Sequence, residues 1–173
     1  MHLIKQIDFT EDFQGFTLTE LSNDKEFIGN EDYIIEKFIK SEYFTIDCLP
    51  EIVKTDKSNS DFYLRQLFDN DKLTIKDFKE FSIENLFDFL DDFSKHDDWG
   101  DDRVHFIKLL ESFKSLFKSK SAYNKFYLIS KDWFDKENDK LRNPESWIYI
   151  YYFLIVWIDK IEQKLYVCEW TYN

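Results

Sequence analysis

The stretch "WIYIYYFLIVWIDKIEQKLYVCEWTY", residues 147–172, decides the fold, because it predicts a long antiparallel hairpin. Its first part, residues 147–158, is apolar on both alternating faces, which is typical of a central strand covered on both sides. A short polar loop leads to a second strand, residues 164–172. The rest of the chain is therefore expected to supply the layers that cover this hairpin.

Pairing Trp157 with Tyr166 fixes the predicted register of this hairpin. The pairs expected on the same face are Ile155 with Cys168, Phe153 with Trp170, and Tyr151 with Tyr172. The pairs expected on the other face are Val156 with Val167 and Leu154 with Glu169. The first face carries an aromatic ladder that we expect helices to bury, with an exposed contact surface as the alternative. For Glu169 we expect a place at a sheet edge, with a paired carboxylate as the alternative.

The chain before this hairpin reads mainly as helices between residues 30 and 120. Residues 30–41 show apolar residues at helical spacing behind Asn30, a suitable N-cap. Helical spacing recurs in "SNSDFYLRQLFDN" and in "LTIKDFKEF", residues 58–70 and 73–81. Short strands are predicted for "HLIKQIDF", "EYFTIDC" and "YNKFYLIS", residues 2–9, 42–48 and 123–130.

A helical hairpin is predicted between residues 82 and 119, with Gly100 at its turn. Its first helix begins behind Ser82, a side chain that can cap. The inward stripe expected on that helix is Ile83, Leu86, Phe87, Leu90 and Phe93. The second helix is expected to start near Asp101. Its expected inward residues are Val104, Ile107, Leu110, Phe113 and Leu116. Together these patterns predict an α+β fold in a single domain, residues 1–173, mainly helical over 30–120 and mainly strand over 123–173.

Charge and composition exclude several classes of function. Lys and Arg total 23 against 35 Asp and Glu, which gives a net charge of −12. Direct nucleic-acid binding is disfavoured, because it depends on cationic groups that neutralise phosphates.

The aromatic share of 20% is attributed to A/T-rich coding and to the core. Cys48 and Cys168 are expected to be buried as small hydrophobes. Without an apolar leader or a membrane-length run, the chain is expected to be cytoplasmic.

The stretch "DFLDDFSKHDDWGDD", residues 88–102, concentrates this acidity, because its seven aspartates and Lys95 give −6, half of the net charge. Asp101 or Asp102 can be explained as helix caps, whereas helix stability does not explain the others. Trp99 is interpreted as an apolar anchor for a partner, or alternatively as a plug at the top of the helical hairpin. The partner-binding residues we predict are Asp91, Asp92, Asp97, Asp98, Trp99, Asp101 and Asp102.

A metal site in this stretch is the minority interpretation. Its candidate ligands are His96, Asp98, Asp101 and His105, whose imidazoles and carboxylates suit Mn, Fe or Zn. A calcium EF-hand fails, because placing Gly100 at the sixth loop position puts Lys95, Trp99 and Phe106 at ligand positions. Catalytic residues and a cofactor are not predicted, since we find no metalloprotease motif and the three glycines are isolated from one another.

The sequence thus predicts an acidic protein-binding module and not an enzyme. Its specific form is expected to be a bacterial immunity or antitoxin-type inhibitor that blocks a basic toxin, such as a nuclease. One alternative is a nucleic-acid mimic that inhibits a DNA-binding or defence protein. Others are a metal-dependent hydrolase built on the residues from His96 to His105 and a subunit of a larger assembly.

Overall fold

The computed structural model describes residues 1–22, 30–41, 44, 68, 72–117, 125–131 and 150–172. These residues form a six-stranded antiparallel sheet with helices on both faces, so the predicted α+β class is confirmed. The strand order is β1-β2-β6-β5-β4-β3. The strands are β1 (His2–Glu11), β2 (Gln14–Ser22), β3 (Lys79–Phe81), β4 (Phe126–Lys131), β5 (Tyr151–Asp159) and β6 (Lys164–Tyr172). The helices within the described ranges are α1 (Glu31–Ile39), α2 (Ile83–Phe93) and α3 (Arg103–Ser115). None of them is long and apolar enough to cross a membrane.

The β5–β6 hairpin has the predicted register throughout. Trp157 pairs with Tyr166, and all five other predicted pairs are present. Every residue of β5 is buried, because β5 lies between β4 and β6 and both of its faces are covered. The short run of apolar residues on both faces therefore did mark a central strand.

The aromatic ladder lies under α2 and α3, as expected for a core face. Phe153 and Trp170 are buried there beside Phe106 and Phe113 of α3. The rings of Phe113 and Trp170 meet edge to face with centroids 5.3 Å apart, a favourable arrangement for aromatic pairs. On the other face of the sheet α1 covers the even-numbered residues of β5.

The first turns of α1 and α2 form as the sequence predicts. The Asn30 side chain accepts a hydrogen bond from the backbone N–H of Asp32. The Ser82 hydroxyl accepts one from the backbone N–H of Asn85. Both bonds satisfy amide groups that have no partner within the helix. The predicted strand at 2–9 is also confirmed, as part of β1.

The helix predicted for residues 73–81 is wrong. A short 3-10 helix, Ile75–Asp77, occupies this segment and is followed by β3. The Asp77 carboxylate accepts a hydrogen bond from the Thr74 backbone N–H at 2.8 Å, which stabilises a single turn. Phe78 then packs on the α1 face and Phe81 on the α2–α3 face. In an extended backbone, side chains three residues apart point to opposite faces of the sheet. The rings of Phe78 and Phe81 therefore pack into the two different hydrophobic clusters.

The remaining predicted elements of this region lie mostly outside the described residues. The strand predicted at 42–48 and the helix predicted at 58–70 contribute one described residue each, Phe44 and Phe68. Both side chains are fully buried on the α1 face. Cys48 is not among the described residues, whereas Cys168 is buried and unbridged. Burial raises the pKa of the Cys168 thiol well above its usual value.

The inward stripe predicted for α3 is partly wrong. Val104 and Ile107 are exposed, with 50% and 37% of their surface accessible. The residues buried on α3 are Phe106, Leu109, Leu110 and Phe113. Leu110 and Phe113 belong to both the predicted and the observed stripe, and Phe106 with Leu109 takes the inward place of Val104 with Ile107, because these larger side chains bury more apolar area.

Glu169 does not lie at a sheet edge, so that prediction is also wrong. Its strand, β6, lies between β2 and β5, and its side chain is 3% exposed. The Tyr152 hydroxyl donates a hydrogen bond of 2.6 Å to Glu169 Oε1. The carboxylate is tolerated in the core because it is hydrogen-bonded there.

Candidate functional site

The acidic stretch 88–102 comprises the second half of α2 and the connection from α2 to α3. A 3-10 helix, Asp97–Asp102, joins the two helices and bends at Gly100, whose φ of 55° lies in the left-handed region that glycine favours. Five of the seven aspartates have exposed side chains. We call these five residues the acidic junction: Asp88, Asp92, Asp97, Asp98 and Asp101.

The acidic junction carries few compensating charges of its own. Lys95 pairs with Asp92 at 2.9 Å, and both side chains are largely exposed. The hydrogen bond from Lys95 to Asp92 raises the pKa of the ammonium group. His96 Nδ1 lies 3.3 Å from a carboxylate oxygen of Asp98. Exposed pairs of this kind contribute little to stability, so their aspartates can exchange these contacts for contacts with another protein at little cost in free energy.

Trp99 is part of the core and is not an exposed anchor, so its place in the predicted contact site is corrected. Only 3% of its surface is accessible. Its indole N–H donates a hydrogen bond of 2.7 Å to the backbone carbonyl of Phe93. Its ring contacts Phe106 and Tyr151 at centroid distances of 4.8 and 5.5 Å. The alternative interpretation, a plug at the top of the helical hairpin, fits this geometry.

Asp91 holds α2 against α3, in contrast to the prediction that folding does not explain it. Both of its carboxylate oxygens lie 2.7 Å from Lys114 Nζ. The same ammonium group lies 5.5 Å from the centre of the Phe87 ring, where a cation–π attraction adds to the ion pair. The Asp91 carboxylate is therefore paired with Lys114 inside the protein, and Asp91 does not belong to the acidic junction.

Asp102 stands at the N-cap position of α3, but its side chain does not cap the helix. The preceding 3-10 helix leads directly into α3, so the backbone is already helical at this residue. The Tyr172 hydroxyl donates a hydrogen bond to Asp102 Oδ2. The backbone carbonyl of Asp102 accepts a hydrogen bond of 2.9 Å from the Gln14 side chain. Asp102 thus links the start of α3 to β2 and β6.

The turn between β1 and β2 packs against the first turns of α3 through charged groups. Glu11 Oε2 lies 3.0 Å from Lys108 Nζ and 3.6 Å from His105 Nδ1. The hydrogen bond from Lys108 lowers the pKa of the Glu11 carboxyl group. Asp12 follows at the turn with a φ of 56°. We call this group the tip cluster: Glu11, Asp12, Asp102, His105 and Lys108.

The tip cluster gathers a different set of possible metal ligands from the predicted one. Asp12, Asp102 and His105 each place one ligand atom within 4.8 Å of the others. Among the described residues, His96, Asp98 and Asp101 do not form such a group with His105. The Nδ1 atom of His96 instead accepts a hydrogen bond from the backbone N–H of Asp98, and the His96 side chain is exposed at the surface. The sequence did not indicate Asp12, because it lies in a β-turn far from residues 96–105 along the chain.

Three exposed apolar side chains border this region. Phe13, next to Asp12 in the chain, has 68% of its surface accessible. Val104 lies between Asp102 and His105, and Ile107 follows one turn later. Because Asp12 is within ligand distance of Asp102 and His105, these apolar groups lie at the same end of the molecule. They offer the apolar contact that Trp99 does not.

The hydrogen bond between Tyr172 and Asp102 predicts a loss of stability at alkaline pH. Burial and the neighbouring carboxylate raise the pKa of Tyr172 to about 12, against about 10 for an unperturbed tyrosine. The folded state therefore holds this proton more tightly. The resulting stability is complete below about pH 10 and is lost as the pH rises through about 12. Urea unfolding of the protein and of Tyr172→Phe between pH 9 and 12 checks this, since the variant should lose stability less steeply. Equal slopes would contradict it.

No protein-family model, curated protein or solved structure matches the chain.

Proposed function

We propose that this protein binds a basic protein partner through the acidic junction. The observation that carries the proposal is the exposure of five aspartates in the second half of α2 and in its connection to α3. Within residues 88–101, Lys95 is the only lysine or arginine. A surface that is mainly negative accelerates encounter with a positively charged partner and repels acidic competitors.

The exposed apolar residues supply the second part of such an interface. Val104 and Ile107 begin within a few residues of the acidic junction along the chain, and Phe13 lies at the neighbouring turn. Binding energy in protein interfaces comes mainly from a few apolar or aromatic side chains surrounded by polar contacts. We assign Phe13, Val104 and Ile107 as these anchors, in place of Trp99.

The specific form we favour is an inhibitor of the immunity or antitoxin type. An acidic surface with apolar anchors suits a toxin whose active site is cationic, such as a nuclease, because nucleases bind phosphates through lysine and arginine. Covering that site would block the substrate. The supporting evidence is the charge and its placement.

Reversing two charges of the acidic junction is expected to weaken partner binding roughly tenfold or more, about 1.4 kcal/mol. The variant is Asp97→Lys/Asp98→Lys, which places like charges opposite a basic partner. Affinity capture from the native host identifies the partner, and titration calorimetry with the purified pair gives the affinity. The wild-type affinity should also fall as salt screens the charges.

The matched control is Glu111→Lys/Glu162→Lys, which makes the same change in net charge at two exposed positions, one in the second half of α3 and one in the β5–β6 turn. We expect this control to bind within about threefold of wild type, because only distant charges change. Equal weakening by both double variants would assign the effect to net charge and contradict the contact site.

Growth rescue tests the inhibitor form separately. The gene adjacent to this one is expressed with and without it in a test host, and we expect the neighbour to be toxic alone and harmless in co-expression. A neighbour that is harmless alone would count against this form. A nucleic-acid mimic would instead compete with DNA for a DNA-binding partner, which a DNA-displacement titration detects.

A further inference from the structure

We propose that Asp12, Asp102 and His105 of the tip cluster bind one divalent transition-metal ion. The three residues come from separate parts of the fold: the β1–β2 turn, the N-cap of α3 and its first turn. An ion bound among them would tie the turn to the helix. This site shares no residue with the acidic junction, so the inference stands independently of the proposed function.

The geometry of the three ligand atoms carries the first step. All of them lie within 4.8 Å of one another. Two atoms that each coordinate an ion at about 2.1 Å are at most about 4.2 Å apart. The three ligand atoms are thus close to the arrangement that coordination requires. Small side-chain rotations that move these atoms by a few tenths of an ångström would bring them within coordinating distance of one ion.

The Nδ1 atom of His105, whose side chain is 28% exposed, is the second observation. His105 Nδ1 is inaccessible to solvent and has no hydrogen-bond partner. The Glu11 carboxylate oxygen is 3.6 Å away, within ion-pair range but too far for a hydrogen bond. A buried polar atom without a partner carries a free-energy penalty, and such an atom often marks the place of a bound ion or water.

The donor set indicates the class of ion. One imidazole and two carboxylates suit Zn²⁺, a borderline ion, and also Mn²⁺, a harder ion that takes carboxylate oxygens, whereas Ca²⁺ and Mg²⁺ prefer sites built entirely from oxygen. The two carboxylates also balance the charge of a divalent cation. Water would complete the coordination, because the protein provides three ligands.

Calorimetric titration of the chelator-treated protein with Zn²⁺ and with Mn²⁺ tests the site. We expect saturable binding of one ion per chain and no comparable binding of Ca²⁺ or Mg²⁺. At a free ion concentration of about 100 times Kd, the melting temperature should rise by about 5–10 °C. Absence of saturable Zn²⁺ and Mn²⁺ binding would overturn the proposal.

Two variants and two controls locate the ion. Asp12→Asn and His105→Gln are each expected to weaken binding at least roughly tenfold. Asparagine accepts the left-handed backbone at position 12, so that variant should retain the turn. His96→Gln and Asp98→Asn, in the exposed pair nearby, should retain wild-type affinity. Full affinity in both site variants, or a loss confined to the controls, would overturn the assignment.

A measurement on the wild-type protein guards against variants that fail to fold. Mn²⁺ is paramagnetic and broadens the amide signals of residues close to it. We expect broadening centred on residues 11–13 and 102–106. Broadening centred on residues 96–98 would place the ion at the acidic junction and overturn the proposal.

Discussion

Replacing Trp99 by alanine is expected to lower the free energy of unfolding by about 3–5 kcal/mol, the usual cost of truncating a buried tryptophan. The side chain is 3% exposed and fills the space between α2, α3 and the sheet. Truncation removes its ring contacts and the hydrogen bond to the Phe93 carbonyl. The loss of both leaves a cavity beneath the acidic junction.

Urea denaturation monitored by circular dichroism measures this effect. Val104→Ala is the control, because Val104 is half exposed on the adjacent helix turn and its truncation should cost less than about 0.5 kcal/mol. Trp99→Phe removes the hydrogen bond but keeps a ring, so it should fall between the two. A loss below about 1 kcal/mol in Trp99→Ala would contradict the buried position.

The Trp99→Phe variant also separates the two interpretations of this residue. If Trp99 is a plug, a folded Trp99→Phe protein binds the proposed partner with unchanged affinity. If it were a contact anchor, the affinity would fall together with that of the junction variants.

Changing Tyr152 to phenylalanine is expected to lower the free energy of unfolding by about 1.5–3 kcal/mol, typical of a hydrogen bond to a charged group. Tyr152 donates to the carboxylate of Glu169, which is buried between β2 and β5. The variant keeps the ring but removes a donor from a carboxylate that water does not reach. The penalty arises mainly from the carboxylate that loses this donor.

A double-variant cycle isolates the interaction free energy between Tyr152 and Glu169 from the effect that each substitution has by itself. Tyr152→Phe, Glu169→Leu and the double variant are compared by urea denaturation. We expect the loss in the double variant to be smaller than the sum of the two single losses, because each single variant already removes the hydrogen bond between Tyr152 and Glu169. Tyr33→Phe, on an exposed ring of α1, is the control and should be neutral. Additive effects in the cycle would show that the two side chains do not interact.

The features that the sequence predicted correctly depend on local pattern. The β5–β6 register follows from two apolar runs and the short polar loop between them. The caps at Asn30 and Ser82 each require one polar side chain next to an apolar stripe. Such features are determined by residues that lie close together along the chain.

The features that were wrong depend on distant residues. Residues 73–81 have helical spacing, but the backbone N–H of Ile75 bonds to Glu36 and β3 pairs with β4. The place of Glu169 depends on β2, which fills the position beside β6 that was expected to be an edge. Periodicity carries no information on these partners.

The candidate sites divide in the same way. The acidic junction was visible as a concentration of charge along the chain, although burial excludes Trp99 from it and bonds to Lys114 and Tyr172 exclude Asp91 and Asp102. The tip cluster was not visible, because Asp12 and Asp102 meet only after β1, β2 and α3 have packed together.

The position of β6 in the sheet bears on how the chain acquires its structure. β6 follows the other described strands in the sequence, yet it pairs with β2 on one side and β5 on the other. Until it is synthesised, β1–β2 and β3–β4–β5 have no strand to join them. Pairing such as Gln14 with Tyr172 spans most of the chain, which slows folding through the entropy of closing long loops. The nascent protein therefore exposes two unpaired strand edges until its last described strand arrives, and this interval is when it is most vulnerable to aggregation.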